Sequence, residues 1–436
     1  MKTKPILHYL FLVTQIAMIW TGTSNHGFAQ SLENDKVPEE QRPIEEREAT
    51  DSFIENVAEV PGEIVTLPLK VLFHGIRLTA RWIDFQSVYL RATDLLTSED
   101  GTRKVRPIFA PSGGGGVTFI QENFVRAGMV LNAHGSFGIR SRRLLYGKLS
   151  DARLLAPAWG LQLMAAHQRK PDEDFFGVGN DSPPSNETNY LQQETHFEIA
   201  VISAPVQAGQ FSFGLAYSDV DIGDGREPGR PSTTKFFSDE EVPGLEGAEM
   251  WSLLFKFYHD SRNATGHPTE GGEAFFSAEF ARELNRRDFG YRKYTLDLRR
   301  YVELFYQRVL AVRLRTEVMD KMSGRAIPFY RLSGLGGTDN LRGYRPFRFV
   351  DEDLMLLSAE YRFPVHAHAT VYGFFEEGRV FNNIFDEFSV HDFKYAAGGG
   401  LRLTAKNRQL VATFEMAKSK EQMRFVFGLN TDLRRF

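Results

Sequence analysis

The sequence predicts an all-β protein: a transmembrane antiparallel β-barrel of about sixteen strands, with a short disordered and helical periplasmic segment before it. Three observations carry this. A secretory targeting pattern opens the chain. Beyond it, no run of about twenty apolar residues could cross a bilayer as a helix. From residue 104 to the end, segments of period-two alternation dominate, each apolar on one face and polar or charged on the other.

The targeting pattern starts with Lys2 and Lys4, continues through an apolar run from Ile6 to Trp20, and closes on Gly27-Phe28-Ala29. Small residues at the positions a signal peptidase reads predict a signal peptide over 1–29, cleaved after Ala29. Loss of Lys2 and Lys4 takes the formal charge from −4 to −6. Residues 30–66 follow as an acidic segment, with eleven acidic residues against three basic ones between Ser31 and Glu63. Such a stretch, almost without aromatics, is expected to stay disordered. Over 67–103 the spacing changes. Leu69, Leu72, Phe73, Ile76 and Ile83 recur at intervals near three and four, with Arg77, Arg81 and Arg91 between them. That pattern predicts an amphipathic helical segment, packed on the barrel's periplasmic mouth or lying on the inner leaflet of the outer membrane.

The barrel is expected over 104–436. Phe211, Phe213, Leu215 and Tyr217 share one face; Trp251, Leu253, Phe255 and Phe257 share another. Leu410, Ala412, Phe414 and Met416 stand opposite Gln409, Thr413 and Glu415. These segments run about ten residues, enough for a tilted strand to cross a bilayer. Tight turns alternate with long polar loops, the asymmetry of an outer-membrane barrel. The abundance of Phe (37) and Gly (38) at only 42% hydrophobic residues fits strands that are apolar on one side. With no cysteine, a disulfide framework and thiolate metal sites are excluded. A formal charge of −4 provides no basic surface for nucleic acid.

The densest stretch runs from Leu332 to Pro364. Its glycines resemble a phosphate cradle, but such a cradle needs a helix immediately after it, and here aromatic residues, prolines and a strand follow. Gly336, Gly337 and Gly343 instead let a long loop fold back against the barrel wall. Arg342 then enters the lumen and needs a carboxylate. Glu360 shares a strand face with Ser358 and Arg362, and Glu376 shares one with Thr370, Tyr372 and Phe374. Both are expected to point inward and clamp Arg342.

At these residues the sequence resembles the BamA/TamA superfamily, also called the bacterial surface antigen family. Arg342-Gly343-Tyr344 resembles the Arg-Gly-aromatic tip of that family's sixth extracellular loop, with Glu360 and Glu376 as the partners that the resemblance implies. Phe176 to Ser182, Asp260-Ser261-Arg262 with Pro268 and Gly271-Gly272, Phe374 to Phe381, and Gly398 to Arg402 match further family motifs in order. The match covers residues 105 to 436. Glu376 stands where the family usually carries Asp, which keeps the charge and lengthens the reach. The C-terminal strand signal implied by the family falls on Phe425, Phe427, Leu429, Leu433 and Phe436. Phe436 is out of phase, and Leu433 takes its slot. No repeat of small α/β modules precedes the barrel, so the family's periplasmic POTRA modules are expected to be missing.

The resemblance implies a barrel that assists assembly or translocation of proteins or lipids at the outer membrane. The alternative is a passive structural or surface-exposed barrel. Gly113, Gly114, Gly115 and Gly116 near the first strand and Gly428 in the last are expected to loosen the seam between them. Expected partners are outer-membrane lipid and lipopolysaccharide, client outer-membrane proteins, and a separate periplasmic module. No HExxH or GxSxG pattern is present, so no enzyme, metal or cofactor is expected.

Overall fold

The computed structural model describes residues 96–110, 114–205, 209–264, 266–366, 368–404 and 410–429. The expected signal peptide, the acidic segment and residues 67–95 of the helical segment lie outside the described residues, as do Gly113, Leu433 and Phe436. Residues 96–102 are not helical. They form a turn in which the Thr102 N–H donates to Asp100 Oδ1 at 3.1 Å and Thr97 bridges Lys104. Side chains that compete for backbone partners in this way favour turns over helices, so the helical expectation fails at this end of its range.

One antiparallel sheet of 16 strands forms the barrel wall, the number read from the alternation. The first strands are β1 (Arg103–Ala110), β2 (Gly114–Glu122), β3 (Met129–Phe137), β4 (Arg143–Ala156), β5 (Trp159–Phe175) and β6 (Thr188–Ser203). Next come β7 (Gly209–Asp224), β8 (Gly247–Asp260), β9 (Gly271–Glu283), β10 (Gly290–Glu303) and β11 (Val309–Lys321). Two short strands inside a long loop, β12 (Ser333–Leu335) and β13 (Phe349–Asp351), pair with each other. The wall resumes with β14 (Asp353–His366), β15 (Ala369–Phe381), β16 (Lys394–Thr404), β17 (Leu410–Ser419) and β18 (Met423–Leu429).

Every wall strand pairs with its neighbours in sequence, so successive connections alternate between the two ends. Loops 176–187, 225–246, 322–352 and 382–393 therefore leave the same end, while the opposite end is joined by turns such as 157–158. Long loops at one end and tight turns at the other give the extracellular and periplasmic sides of an outer-membrane barrel.

The two faces of the wall separate by chemistry. Phe211, Phe213, Leu215, Trp251 and Leu253 stay exposed on the outside, where lipid covers them. They also support each other across strands, with the Phe213 ring 5.0 Å from that of Phe255. The alternate positions turn inward, where carboxylates are buried and paired. Glu194 meets Arg331 at 2.9 Å, Asp297 meets Arg313 at 2.6 Å, and Glu317 meets Lys293 at 2.6 Å. Buried charge is tolerated only when paired in this way.

β1 and β18 stand at the two ends of the hydrogen-bonded order. They approach within 8 Å at Cα, yet no hydrogen-bonded ladder joins them among the described residues. Pro107 also deprives β1 of one ladder donor. The glycine run expected beside the seam lies one strand further in. Gly114, Gly115 and Gly116 belong to β2 and pair with Ala110, Phe109 and Ile108 of β1. In β1, Lys104 and Arg106 alternate with Val105 and Pro107, so the strand keeps the period-two pattern. Gly116 serves close strand packing, since a Cβ there would sit 2.6 Å from the Gly135 carbonyl oxygen. Gly428 does lie in the last strand, opposite Thr413.

Candidate functional site

The site is built by the loop between β11 and β14. After β12 the chain turns at Gly336 (φ +113°) and Gly337 (φ +105°), conformations that L side chains rarely adopt. Gly336 is also required sterically, because a Cβ would lie 1.9 Å from the Arg345 carbonyl oxygen. The tip is tied by Gly336 N–H to Asn340 O (2.9 Å) and Gly337 N–H to Tyr344 O (3.2 Å). Its apolar side chains, Leu341, Tyr344 and Phe349, are buried with Leu354, Leu356, Val380 and Ala396 of the wall. With those residues docked on β14–β16, Arg342 projects into the lumen.

Three carboxylates surround Arg342, which is 8% exposed. Its Nε donates to Glu376 Oε1 at 2.9 Å, and its backbone N–H donates to Glu376 Oε2 at 2.7 Å. One terminal nitrogen donates to Glu415 Oε2 at 2.7 Å and lies 3.5 Å from Glu360 Oε2. Glu360 is held more closely by two other arginines, Arg362 at 2.7 Å and Arg402 at 2.5 Å. The cluster therefore pairs three guanidiniums with three carboxylates and is electrically balanced. Charge-assisted bonds of this kind are the stronger class of hydrogen bond.

Aromatic rings and glycines complete the site. The Arg342 guanidinium lies 3.4 Å from the centroid of Phe374, and Arg402 lies 4.0 Å from that of Tyr372. Tyr372 donates to Glu415 at 2.8 Å. The rings lie close to β16 because Gly398 and Gly400 leave room. A Cβ on Gly398 would be 2.6 Å from the Phe374 ring, and one on Gly400 would be 2.7 Å from the Tyr372 hydroxyl. Gly343 is fitted as tightly, since its Cβ would meet Ser419 Cβ at 2.8 Å and Ala396 Cβ at 3.0 Å.

A second arginine of the same loop fastens its outer end. Arg348 is 2% exposed and donates to Ser182 Oγ (3.0 Å), to the Ser182 carbonyl (2.8 Å) and to Glu421 (2.9 Å). Phe176 and Phe349 flank it at 4.7 and 4.6 Å. Loop 176–187 is thereby joined to the turn between β17 and β18, and Arg424 of β18 adds a bond to the Tyr344 carbonyl. The loop tip thus grips β15, β16 and the final hairpin.

The residues that sequence reasoning placed at the clamp, Arg342, Gly343, Tyr344, Glu360 and Glu376, come together here. Glu415, Arg362, Arg402 and Tyr372 were missed as members. Glu415 already stood on the polar face of its strand, which was the available signal; its nearness to Arg342 depends on loop placement. Of the C-terminal residues, Phe425 and Phe427 face outward from β18, and the Phe427 ring packs 4.8 Å from Phe414. Leu429 ends β18.

A sixteen-stranded wall, long loops at one end and an arginine-tipped loop locked in the lumen define an outer-membrane β-barrel. The chain belongs to the Omp85 superfamily, whose domain matches residues 151–432. β1–β3 precede the match. Among solved structures, BamA from Haemophilus ducreyi lacking POTRA domains 1-3 is similar over 75% of this chain and 70% of that one, with 16% identity and a TM-score of 0.55. CdiB from Acinetobacter baumannii (11% identity, TM-score 0.46) and CdiB from Escherichia coli (10%, 0.48) align over 74% of this chain. This chain spans 58% and 61% of those two CdiB chains. No curated protein matches the sequence.

Proposed function

We propose that this barrel assists the insertion or translocation of client proteins or lipids at the outer membrane, and that it works through the seam between β1 and β18. The observation that carries the reading is the seam itself, where β1 and β18 adjoin without a ladder among the described residues. Unpaired backbone groups in hydrocarbon cost several kcal/mol each, so such an edge is tolerated poorly unless something pairs with it. A client strand can do so by β-augmentation. The grip of loop 322–352 on β15–β18 gives the opening a fixed side and leaves β1 as the moving edge. The superfamily membership and the BamA-like fold support this reading.

The test is reconstitution. Liposomes containing the full chain are mixed with a urea-unfolded outer-membrane barrel, and heat-modifiable folded client is followed on gels. In parallel, transfer of a fluorescent lipid between leaflets is followed. Acceleration of either over protein-free liposomes is expected. Rates equal to those of protein-free liposomes in both assays would favour a passive barrel.

A further inference from the structure

The outer wall carries a feature that a uniform lipid-facing belt would lack. On β4 and β5 the paired outward residues Gly147 and Ala165 are small, and a Cβ on Gly147 would meet nothing within 4 Å. The same row continues through Phe197, Tyr217 and Trp251 on β6, β7 and β8. The small pair and its large neighbours, with Leu149 and Leu163 below, bound an apolar cavity of 460 Å³ open to the bilayer.

Basic residues lie above this cavity, toward the long loops. Arg143 and Arg169 form a directly opposed pair on β4 and β5. They share the outward face with Gly147 and Ala165 and stand four residues, about 13 Å, nearer the extracellular end. Arg143 donates to His167 Nε2 at 3.2 Å, and Arg169 to Gln193 Oε1 at 3.2 Å. Two opposed arginines held by neutral groups, with no carboxylate within 4 Å among the described residues, contrast with the ion-paired arginines of the lumen. The outward acids of the same rows are Asp219 and Asp221 on β7, two strands from Arg169 and about 10 Å away, and Glu249 on β8, one strand further.

We propose that this is a binding site for a phosphorylated lipid of the outer leaflet. One acyl chain fills the cavity over Gly147 and Ala165, and the headgroup phosphate is held between Arg143 and Arg169. Two things argue for this occupant. The cavity opens only onto lipid, so its filler is a hydrocarbon chain. At its extracellular rim, on the β4–β5 side, the Arg143–Arg169 pair has no carboxylate within 4 Å among the described residues, which suits a phosphate that accepts paired guanidinium hydrogen bonds. The inference rests on the outer-membrane location and the outward direction of the long loops, and does not depend on seam opening.

The test uses the full chain in nanodiscs of phosphatidylcholine doped with diphosphoryl lipid A, dephosphorylated lipid A or phosphatidylglycerol. Lipid retained after detergent extraction is counted by native mass spectrometry. Wild type is expected to retain diphosphoryl lipid A about tenfold better than the dephosphorylated form, a factor worth about 1.4 kcal/mol. Gly147→Leu, which fills open space, and Arg143→Gln with Arg169→Gln should each abolish that preference. Ala165→Leu provides a second filling variant if Gly147→Leu lacks heat-modifiable migration. Equal retention of the two lipid A forms, unchanged retention in the folded variants, or phosphatidylglycerol retained as well as lipid A would overturn the proposal.

Discussion

Replacement of Arg342 by Ala tests the clamp at its centre. The guanidinium is buried and touches Glu376, Glu415 and Glu360. Without it, the balance of three cations against three carboxylates becomes an excess of one negative charge. Glu360 keeps Arg362 and Arg402, and Glu415 keeps the Tyr372 hydroxyl. Glu376 is left with the loop backbone N–H and Ser358 Oγ at 3.4 Å, neither of them cationic. Breaking a buried ion pair by removing one partner costs about 3–5 kcal/mol. Two carboxylates, Glu376 and Glu415, lose their charged partner, so a loss within that range is expected, eased at Glu415 by the Tyr372 hydroxyl. The assay is denaturant unfolding of the purified barrel in detergent, alongside limited trypsin digestion of loop 322–352. Arg342→Ala should lower stability by that amount and expose the loop to cleavage after Arg348, which precedes Phe349. Arg342→Lys should recover only part of the loss, since an ammonium cannot reproduce the forked contact. An Arg342→Ala protein within about 0.5 kcal/mol of wild type, with its loop equally protected, would refute the reasoning.

Three further outcomes are expected. Gly343→Ala should force the loop tip off Ser419 and Ala396 and cost about 1–3 kcal/mol, measured by the same unfolding titration. Arg348→Ala should free loop 176–187 from the final hairpin; hydrogen exchange at Gly179, which donates to the Val350 carbonyl, would then rise, while the Arg342 clamp stays protected. Asp351, at the end of β13 in the extracellular loop, has its carboxyl pushed up to about 6 by burial, with Glu352, Glu387 and Asp353 adding to the effect. Its folded pKa exceeds the ordinary value of 3.8, so its stabilising contribution is full below about pH 4 and lost as pH rises through about 6. Protease resistance of the loop should fall across that window, and Asp351→Asn should flatten the profile.

Much of the barrel was legible because the strand period is short and local. Alternation such as Phe211-Ser212-Phe213-Gly214-Leu215 fixes which side meets lipid without knowledge of partners. β1 alternates too, Lys104 and Arg106 against Val105 and Pro107, but Pro107 is a residue that strands seldom carry, and the glycines that follow belong to β2. At the site, Arg342, Glu360 and Glu376 could be found because a buried cation needs carboxylates, and those two lie on the wall strands that follow the loop. Glu415 lies two strands beyond Glu376 and reaches Arg342 only through the curvature of the wall and the depth of the loop. The Arg348 contacts join Ser182, Arg348 and Glu421, far apart in sequence, and no local pattern encodes such a meeting. The same holds for Gly398 and Gly400, which are small because of the Phe374 and Tyr372 rings on the neighbouring strand.

The central claim is that the β1–β18 seam must part for the barrel to act. The chain contains no cysteine, so pairs can be introduced without background. A panel with one cysteine between Arg103 and Pro107 and one between Met423 and Gly428 would be oxidised in the reconstituted liposomes, and client insertion and lipid transfer measured before and after reduction. The account predicts that the crosslinked barrel is inactive and regains activity on reduction. Full activity in a barrel shown to be quantitatively crosslinked would contradict it.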